Sequence, residues 1–287
     1  MRVFLFGAYG RLGSVLSSVL LKSGHSVLRQ GRQASAEYSF DPTNHQRLMS
    51  ELQNCNPDVI VNLIGLTNLQ TNETNNELAL LVNTKIPEYI TRHLSSRPDN
   101  KQPKFIHIST DQVYSKEGFN TEEDALPINR YGKTKLLGEK FAIAAGGIVL
   151  RTNYIGTSKA NDLNTFSDWV VESLRQQTTI NAFCDIHFNP LHVSTLCNLI
   201  QETIYNYRPG IYNAGCRGFF SKAELILEIA RGLNLSSEAV KVVNANFPDG
   251  VKRPKNMVMD VSNFEENFGT KLPSFKEEFE KTLRDYL

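Results

Sequence analysis

The chain has 287 residues, 40% of them hydrophobic and 21% charged, with 31 Lys plus Arg against 30 Asp plus Glu and a net charge of +1. A chain of this size can bury a large core without disulfide or metal staples. Its near-neutral balance argues against a polycationic nucleic-acid binder or an anionic-membrane binder.

Val3-Phe4-Leu5-Phe6 reads as a buried strand that starts almost at the initiator Met, so no leader peptide is expected. Helical apolar spacing follows over 11–22, with short strands at 26–29 and 38–40 and a helix over 44–52. The run Asp58-Val59-Ile60-Val61-Asn62-Leu63-Ile64 predicts a strand buried on both faces. The pattern then predicts a helix over 77–94, a strand over 104–110, a helix over 131–144 and a strand over 147–151.

This alternation predicts βαβ units and a Rossmann-type, doubly wound parallel α/β sheet. The second half is less regular. Ser221-Lys222-Ala223-Glu224 and Ser274-Phe275-Lys276-Glu277 are capping boxes that open helices, and 210–213 reads as a strand. We expect a Rossmann-type domain over 1–151 and a smaller lobe over 152–287, with some of the lobe's segments returning to the first domain.

No apolar run is long enough to span a bilayer. Cys55, Cys184, Cys197 and Cys216 form no C-x-x-C or zinc spacing, which predicts unpaired core thiols in a reducing cytoplasm. Asp185, His187 and His192 lie close together in sequence, and a pocket-lining loop is preferred there to a metal site. Tyr205, Tyr207, Phe219 and Phe220 are expected to pack in the core or between lobes.

Between the first strand and the first helix stands Gly7-Ala8-Tyr9-Gly10-Arg11-Leu12-Gly13. Its spacing lets the backbone turn tightly, approach a pyrophosphate and pack a helix on the sheet, while the helix N-terminus offers free N–H groups. Gly7, Tyr9, Gly10, Arg11, Leu12 and Gly13 are therefore assigned to a dinucleotide, together with Leu63-Ile64-Gly65 after the fourth strand. The second strand lacks the acidic end that would accept from a ribose 2′-OH, and carries Arg29 and Arg32 instead. An arginine fork pairs with a 2′-phosphate, so NADPH is expected in preference to NADH, with Arg32 the first contact and Arg29 the second. Asp41 is a candidate for the adenine amino group, or else a turn residue.

Tyr131-Gly132-Lys133-Thr134-Lys135 places a phenol and an ammonium on one helix face. The ammonium is expected to lower the phenol's pKa, making Tyr131 a proton donor with Lys135 as its partner. Thr110 ends a parallel strand at its carboxyl edge, where it can hold a substrate carbonyl against Tyr131. Asn83, on the preceding helix, is a candidate to order a water that relays protons to Lys135, or else an ordinary helix residue.

With the glycine loop, Asn62, Asn83, Ser109-Thr110-Asp111 and Tyr131-x-x-x-Lys135, the chain resembles an extended short-chain dehydrogenase/reductase. More narrowly, it resembles the dTDP-4-dehydrorhamnose reductase family. The matching stretches run from Pro57-Asp58-Val59-Ile60-Val61-Asn62 through His107-Ile108-Ser109-Thr110-Asp111, Gly138-Glu139, Arg151-Thr152 and Gly210-Ile211-Tyr212-Asn213 to Arg253-Pro254-Lys255-Asn256. The resemblance implies NADPH-dependent reduction of the 4-keto group of a nucleotide-linked deoxysugar, with Tyr131 protonating the new alkoxide. Thr67, Thr110, Asp111 and Tyr131 match positions that line the family's sugar site, and Gln112, Asn153, Tyr154 and Arg253 are placed there with them.

The chain departs from the family pattern at Gln112, at Asn153-Tyr154 and over 185–191, which leaves the sugar open. Val15 stands where some members carry a carboxylate for a shared magnesium, so no metal is expected. A monomer or homodimer is expected. The alternatives are a reductase or epimerase of another nucleotide sugar, and a non-catalytic, NADP-binding regulatory subunit of the same fold, as in the methionine adenosyltransferase regulatory protein. The intact Thr110, Tyr131 and Lys135 set argues against the latter.

Overall fold

Three apolar runs decide the architecture. Arg2–Phe6 (β1), Val59–Asn62 (β4) and Ile148–Thr152 (β6) are buried along almost their whole length, which only strands covered on both faces can be. The computed structural model, which describes residues 1–98, 102–157 and 165–287, places them in one seven-stranded parallel sheet. The other strands are Ser26–Gly31 (β2), Tyr38–Ser39 (β3), Lys104–Ile108 (β5) and Gly210–Ala214 (β11). The order is β11-β6-β5-β4-β1-β2-β3, and every pairing is parallel.

From β1 the chain steps outward to β2 and β3, then returns to β4 on the other side and continues to β11. The reversal opens a crevice at the carboxyl ends of β1 and β4. Helices Arg11–Lys22 (α1) and Val193–Tyr205 (α8) pack on one face, burying Leu12, Leu16, Leu196 and Ile200. His45–Cys55 (α2), Ile86–Ser95 (α5) and Arg130–Ala144 (α6) cover the other, with Leu48, Ile86, Ile90 and Ala142 in its core. A separate apolar core is built from Tyr154–Ile155 (β7), Phe166–Arg175 (α7), Ile180–Phe183 (β8), His187–Phe188 (β9), Phe220–Ser221 (β12), Lys222–Gly232 (α9) and Phe275–Arg284 (α11). Thus α8 and β11 return to the large sheet after the chain has left it. Both capping boxes form, Ser221 with Glu224 and Ser274 with Glu277.

The helix predicted over 77–94 is interrupted. It runs as Asn76–Leu80 (α4), a π turn at Leu81–Lys85, and then α5. Pro87 lacks the N–H that would bond back to the Asn83 carbonyl, so regular α geometry has no closing donor there. The freed carbonyl is covered by α6, where a Cβ on Gly138 would stand 2.3 Å from it. Two further expectations need correction. Cys184 is exposed, although Cys55, Cys197 and Cys216 are buried; all four thiols are free. Tyr205 and Phe219 are about half exposed (52% and 49%), because they cap His25 and the Phe119 edge rather than filling a core.

Candidate active site

The glycine loop joins β1 to α1 along the crevice. Gly7 has φ +75°, and a Cβ on Gly13 would lie 2.2 Å from the Gly7 carbonyl, so no side chain fits there. Gln30, an amide in an apolar strand, holds the loop from behind. Its Oε1 accepts from Gly7 N at 3.1 Å and its Nε2 donates to the Phe40 carbonyl at 2.8 Å. Helix α1 then opens at Gly10 with no capping side chain and no acidic residue in its first turn. Its first N–H groups are left for an anion, which is the donor set a pyrophosphate requires.

Two connected cavities follow, of about 770 and 620 Å³, sharing Gly7, Gly10, Arg32, Leu63 and Gly65. Tyr9, Asp41 and Ile64 line the first; Arg11, Leu12, Gly13 and Thr67 line the second. Arg32 is exposed in the cleft and has no carboxylate partner among the described residues. Arg29 lines neither cavity. It pairs with Glu37 at 3.3 Å and lies 5.8 Å from the Tyr9 ring centroid. Asp41 borders the first cavity, but one carboxylate oxygen is occupied by Thr43 N and Oγ1, at 2.9 and 2.8 Å.

The second cavity ends on the chemistry. Asn129 caps α6 through Gly132 N, and a Cβ on Gly132 would stand 2.4 Å from the Gln112 carbonyl. Glycine there lets the first turn of α6 press against the loop after β5. Thr110, Asp111, Gln112, Tyr131, Lys135, Asn153 and Tyr154 thereby come to one wall. Asp111 accepts from Asn153 Nδ2 at 2.7 Å and from Thr110 Oγ1 at 3.2 Å. Burial nevertheless pushes its carboxyl up to about 6, against those bonds and the positive charge of Lys222.

Tyr131 departs from expectation. Burial raises its phenol above the ordinary range, the nearby Thr110 hydroxyl opposes this, and the Asp111 carboxylate adds to it. The Lys135 charge does not pull the phenol down, because Nζ is drawn into the interior, where it donates to the Ile108 carbonyl at 2.6 Å. Lys135 itself is lowered to about 8 by burial, with Glu139 acting in the opposite direction. Asn83 also departs. Its Oδ1 accepts from Leu66 N at 2.8 Å and its Nδ2 donates to Asn72 Oδ1 and Thr134 Oγ1, each at 3.0 Å. The side chain is spent on buttressing and lines neither cavity.

Behind this wall lies a buried ion pair. Arg151 on β6 donates to both oxygens of Glu139 on α6, at 2.7 to 3.2 Å, and to Tyr114 Oη at 2.8 Å. Ser109 Oγ donates to the same carboxylate. The pair therefore ties β5, β6 and α6 together beneath Thr110 and Lys135.

A recess of about 350 Å³ meets the second cavity at Gln112. Arg253 lines it, paired with Asp249 at 2.5 and 2.8 Å and with its guanidinium 4.5 Å from the Phe247 ring centroid. Lys222 faces it too, with Nζ 5.0 Å from the Phe166 ring centroid. In the sequence Lys222 stands out only as part of a capping box. A cation in the first turn of a helix opposes the dipole, and that was the available signal. Among the described residues no cluster of His, Cys, Asp or Glu could hold a metal. His192 bonds Ser194 and Asp285, Asp185 pairs with Lys255, and His187 packs on Phe219. Of that loop, Ile186 lines the recess.

A glycine-loop crevice that runs into a Thr-Tyr-Lys set on a parallel sheet defines a protein of the short-chain dehydrogenase/reductase class. Within it, the chain belongs to the RmlD substrate binding domain family, whose model matches residues 1–287. A probable low-salt glycan biosynthesis reductase, Agl14 of Haloferax volcanii, is 28% identical over 100% of this chain and 99% of its own. The dTDP-4-dehydrorhamnose reductase of Escherichia coli K12 is 26% identical over 99% and 98%. Among solved structures, a dTDP-4-dehydrorhamnose reductase from Clostridium acetobutylicum superposes with TM-score 0.86 at 25% identity, covering 99% of each chain. One from Bacillus anthracis, in complex with NADP, shares the fold with TM-score 0.85 at 23% identity over 99% of each chain.

Proposed function

We propose that this protein reduces the 4-keto group of a nucleotide-linked deoxysugar with NADPH. The observation that carries the reading is the continuous cleft from the glycine loop to the wall that brings Thr110, Tyr131 and Lys135 together. The names of the relatives support it. The cofactor fits the residues present: a loop with no room for a Cβ at Gly13, an uncapped helix N-terminus, and an unpaired Arg32 suited to a 2′-phosphate.

When bound, NADPH supplies the hydride that adds to the keto carbon. Thr110 holds the carbonyl oxygen. Tyr131, whose raised pKa keeps it protonated at neutral pH, gives its proton to that oxygen as negative charge develops. Thr67, Asp111, Gln112, Asn153 and Tyr154 form the sugar wall. Lys222 and Arg253 flank the adjoining recess, where two cations suit the diphosphate of a nucleotide sugar. A purely regulatory role would leave the buried, charged wall of Asp111 and Lys135 without chemical use.

The same reading takes residues 1–151 as the cofactor domain and 152–287 as mainly the substrate lobe. A single chain supplies the whole site, which is compatible with a monomer or a homodimer. Three buried free thiols suit a reducing cytoplasm. Among the described residues no helix is long and apolar enough to cross a membrane.

A panel of nucleotide 4-keto-sugars, with NADPH oxidation as readout, tests the reaction; no turnover with any of them overturns it. Arg32→Ala is expected to raise the Kd for NADPH roughly tenfold or more, from loss of charged hydrogen bonds, and to leave that for NADH nearly unchanged. Fluorescence titration with both nucleotides measures this, and equal changes would refute the contact.

A further inference from the structure

Because the Asn83 side chain is committed elsewhere, the groups that do face Lys135 Nζ decide how it holds its proton. The Ile108 carbonyl accepts from it at 2.6 Å, and His107 Nε2 stands 3.5 Å away. His107 is fully buried at the end of β5, and its Nδ1 lies 3.1 Å from Asn62 Nδ2. The orientation of that amide is fixed independently, since Asn62 Oδ1 accepts from Ile64 N at 3.1 Å. The Asn62 NH2 therefore meets His107 and donates to Nδ1. An accepting Nδ1 carries no proton, so the neutral imidazole bears its proton on Nε2. Burial and the neighbouring Lys135 keep His107 well below its usual pKa, so a second proton does not add. An N–H thus faces Lys135. Against an ammonium, which has only donors, that contact is donor to donor; a neutral amine offers a lone pair and accepts it.

We propose that Asn62 and His107 are positioning residues that set the proton on Lys135, Asn62 fixing the tautomer and His107 Nε2–H favouring the neutral amine over the ammonium. Tyr131 on α6 and Asp111 on the loop after β5 line the same cavity wall as Lys135, and Glu139 on α6 is the group whose charge reaches the amine. Glu139 pulls the other way, but its carboxylate is shared with Arg151 and Ser109.

The test uses cofactor-free protein and no sugar. In 15N-histidine NMR of the wild type, His107 is expected as the Nε2–H tautomer with no titration across neutral pH. An Nδ1–H tautomer or an imidazolium would overturn the proposal, and this measurement needs no variant. In 13C-lysine spectra, the Lys135 resonance, assigned by its loss in Lys135→Met, is expected to titrate near 8. In folded His107→Phe, which keeps the burial and removes only the facing N–H, its midpoint should move up from the wild-type value while staying below the ordinary 10.5, and an unchanged midpoint would overturn the proposal. Neither readout depends on turnover, so failure here leaves the reductase assignment standing, and failure of that assignment leaves the tautomer standing.

Discussion

Tyr131→Phe is expected to lower kcat for keto-sugar reduction by about 10²–10⁴-fold, the usual contribution of a positioned general acid. The Kd for NADPH should stay within about twofold. The ring is 8% exposed and phenylalanine keeps its packing, so only the hydroxyl is lost. Thr110 Oγ1 is not orphaned by the change, because it still donates to Asp111 and accepts from Gln112 N. Stability should therefore hold while chemistry fails. Stopped-flow NADPH oxidation and fluorescence titration separate the two, and a variant turning over at the wild-type rate would remove Tyr131 from the proton-donor role.

The largest expected effect on stability is at Glu139. Its side chain and that of Arg151 are 1% and 2% exposed, so removing either strands a charge in the interior. Glu139→Ala is expected to cost about 3–5 kcal/mol, measured by urea unfolding. Replacing both partners, as Glu139→Leu with Arg151→Met, should recover most of that loss, since a well-packed apolar pair often matches a buried ion pair. A Glu139→Ala variant within about 0.5 kcal/mol of wild type would show that the pair does not hold β5, β6 and α6 together.

The features that could be read from the amino acids are those where the chemistry allows one residue type. Gly7 and Gly13 sit where a backbone must fold against itself, and a strand before and a helix after them are visible in the apolar pattern. Tyr131 and Lys135 share a helix face by spacing alone. Arg29 and Arg32 show the limit of this kind of reading. Their order, Arg32 before Arg29, agrees with the cleft, but both are assigned there as cations, whereas alternation along an extended segment separates them and Glu37 claims Arg29.

What stayed hidden depends on tertiary neighbours. Gln30 looks like a polar intrusion in a strand until the Gly7 N–H is placed beside it. The π turn follows from Pro87 together with the approach of α6 at Gly138. The expected electrostatic help from Lys135 to Tyr131 failed because spacing defines a shared face but not where a long side chain ends. Here Nζ finds the Ile108 carbonyl, and burial governs the phenol instead. Lys222 and Arg253, 31 positions apart in sequence by number, meet at one recess beside Gln112, which no local pattern foretells.

On the proposed reading, this cleft moves a hydride from NADPH to the keto carbon of a nucleotide sugar and a proton from Tyr131 to its oxygen. Incubation with a dTDP-4-keto-6-deoxyhexose and NADPH deuterated at the transferring C4 position of its nicotinamide tests it most directly, with the product examined by NMR and mass spectrometry. The expected product is a dTDP-6-deoxyhexose carrying one deuterium at sugar C4, formed in step with NADPH oxidation. Recovery of unchanged keto-sugar, or deuterium at any other carbon, would contradict it.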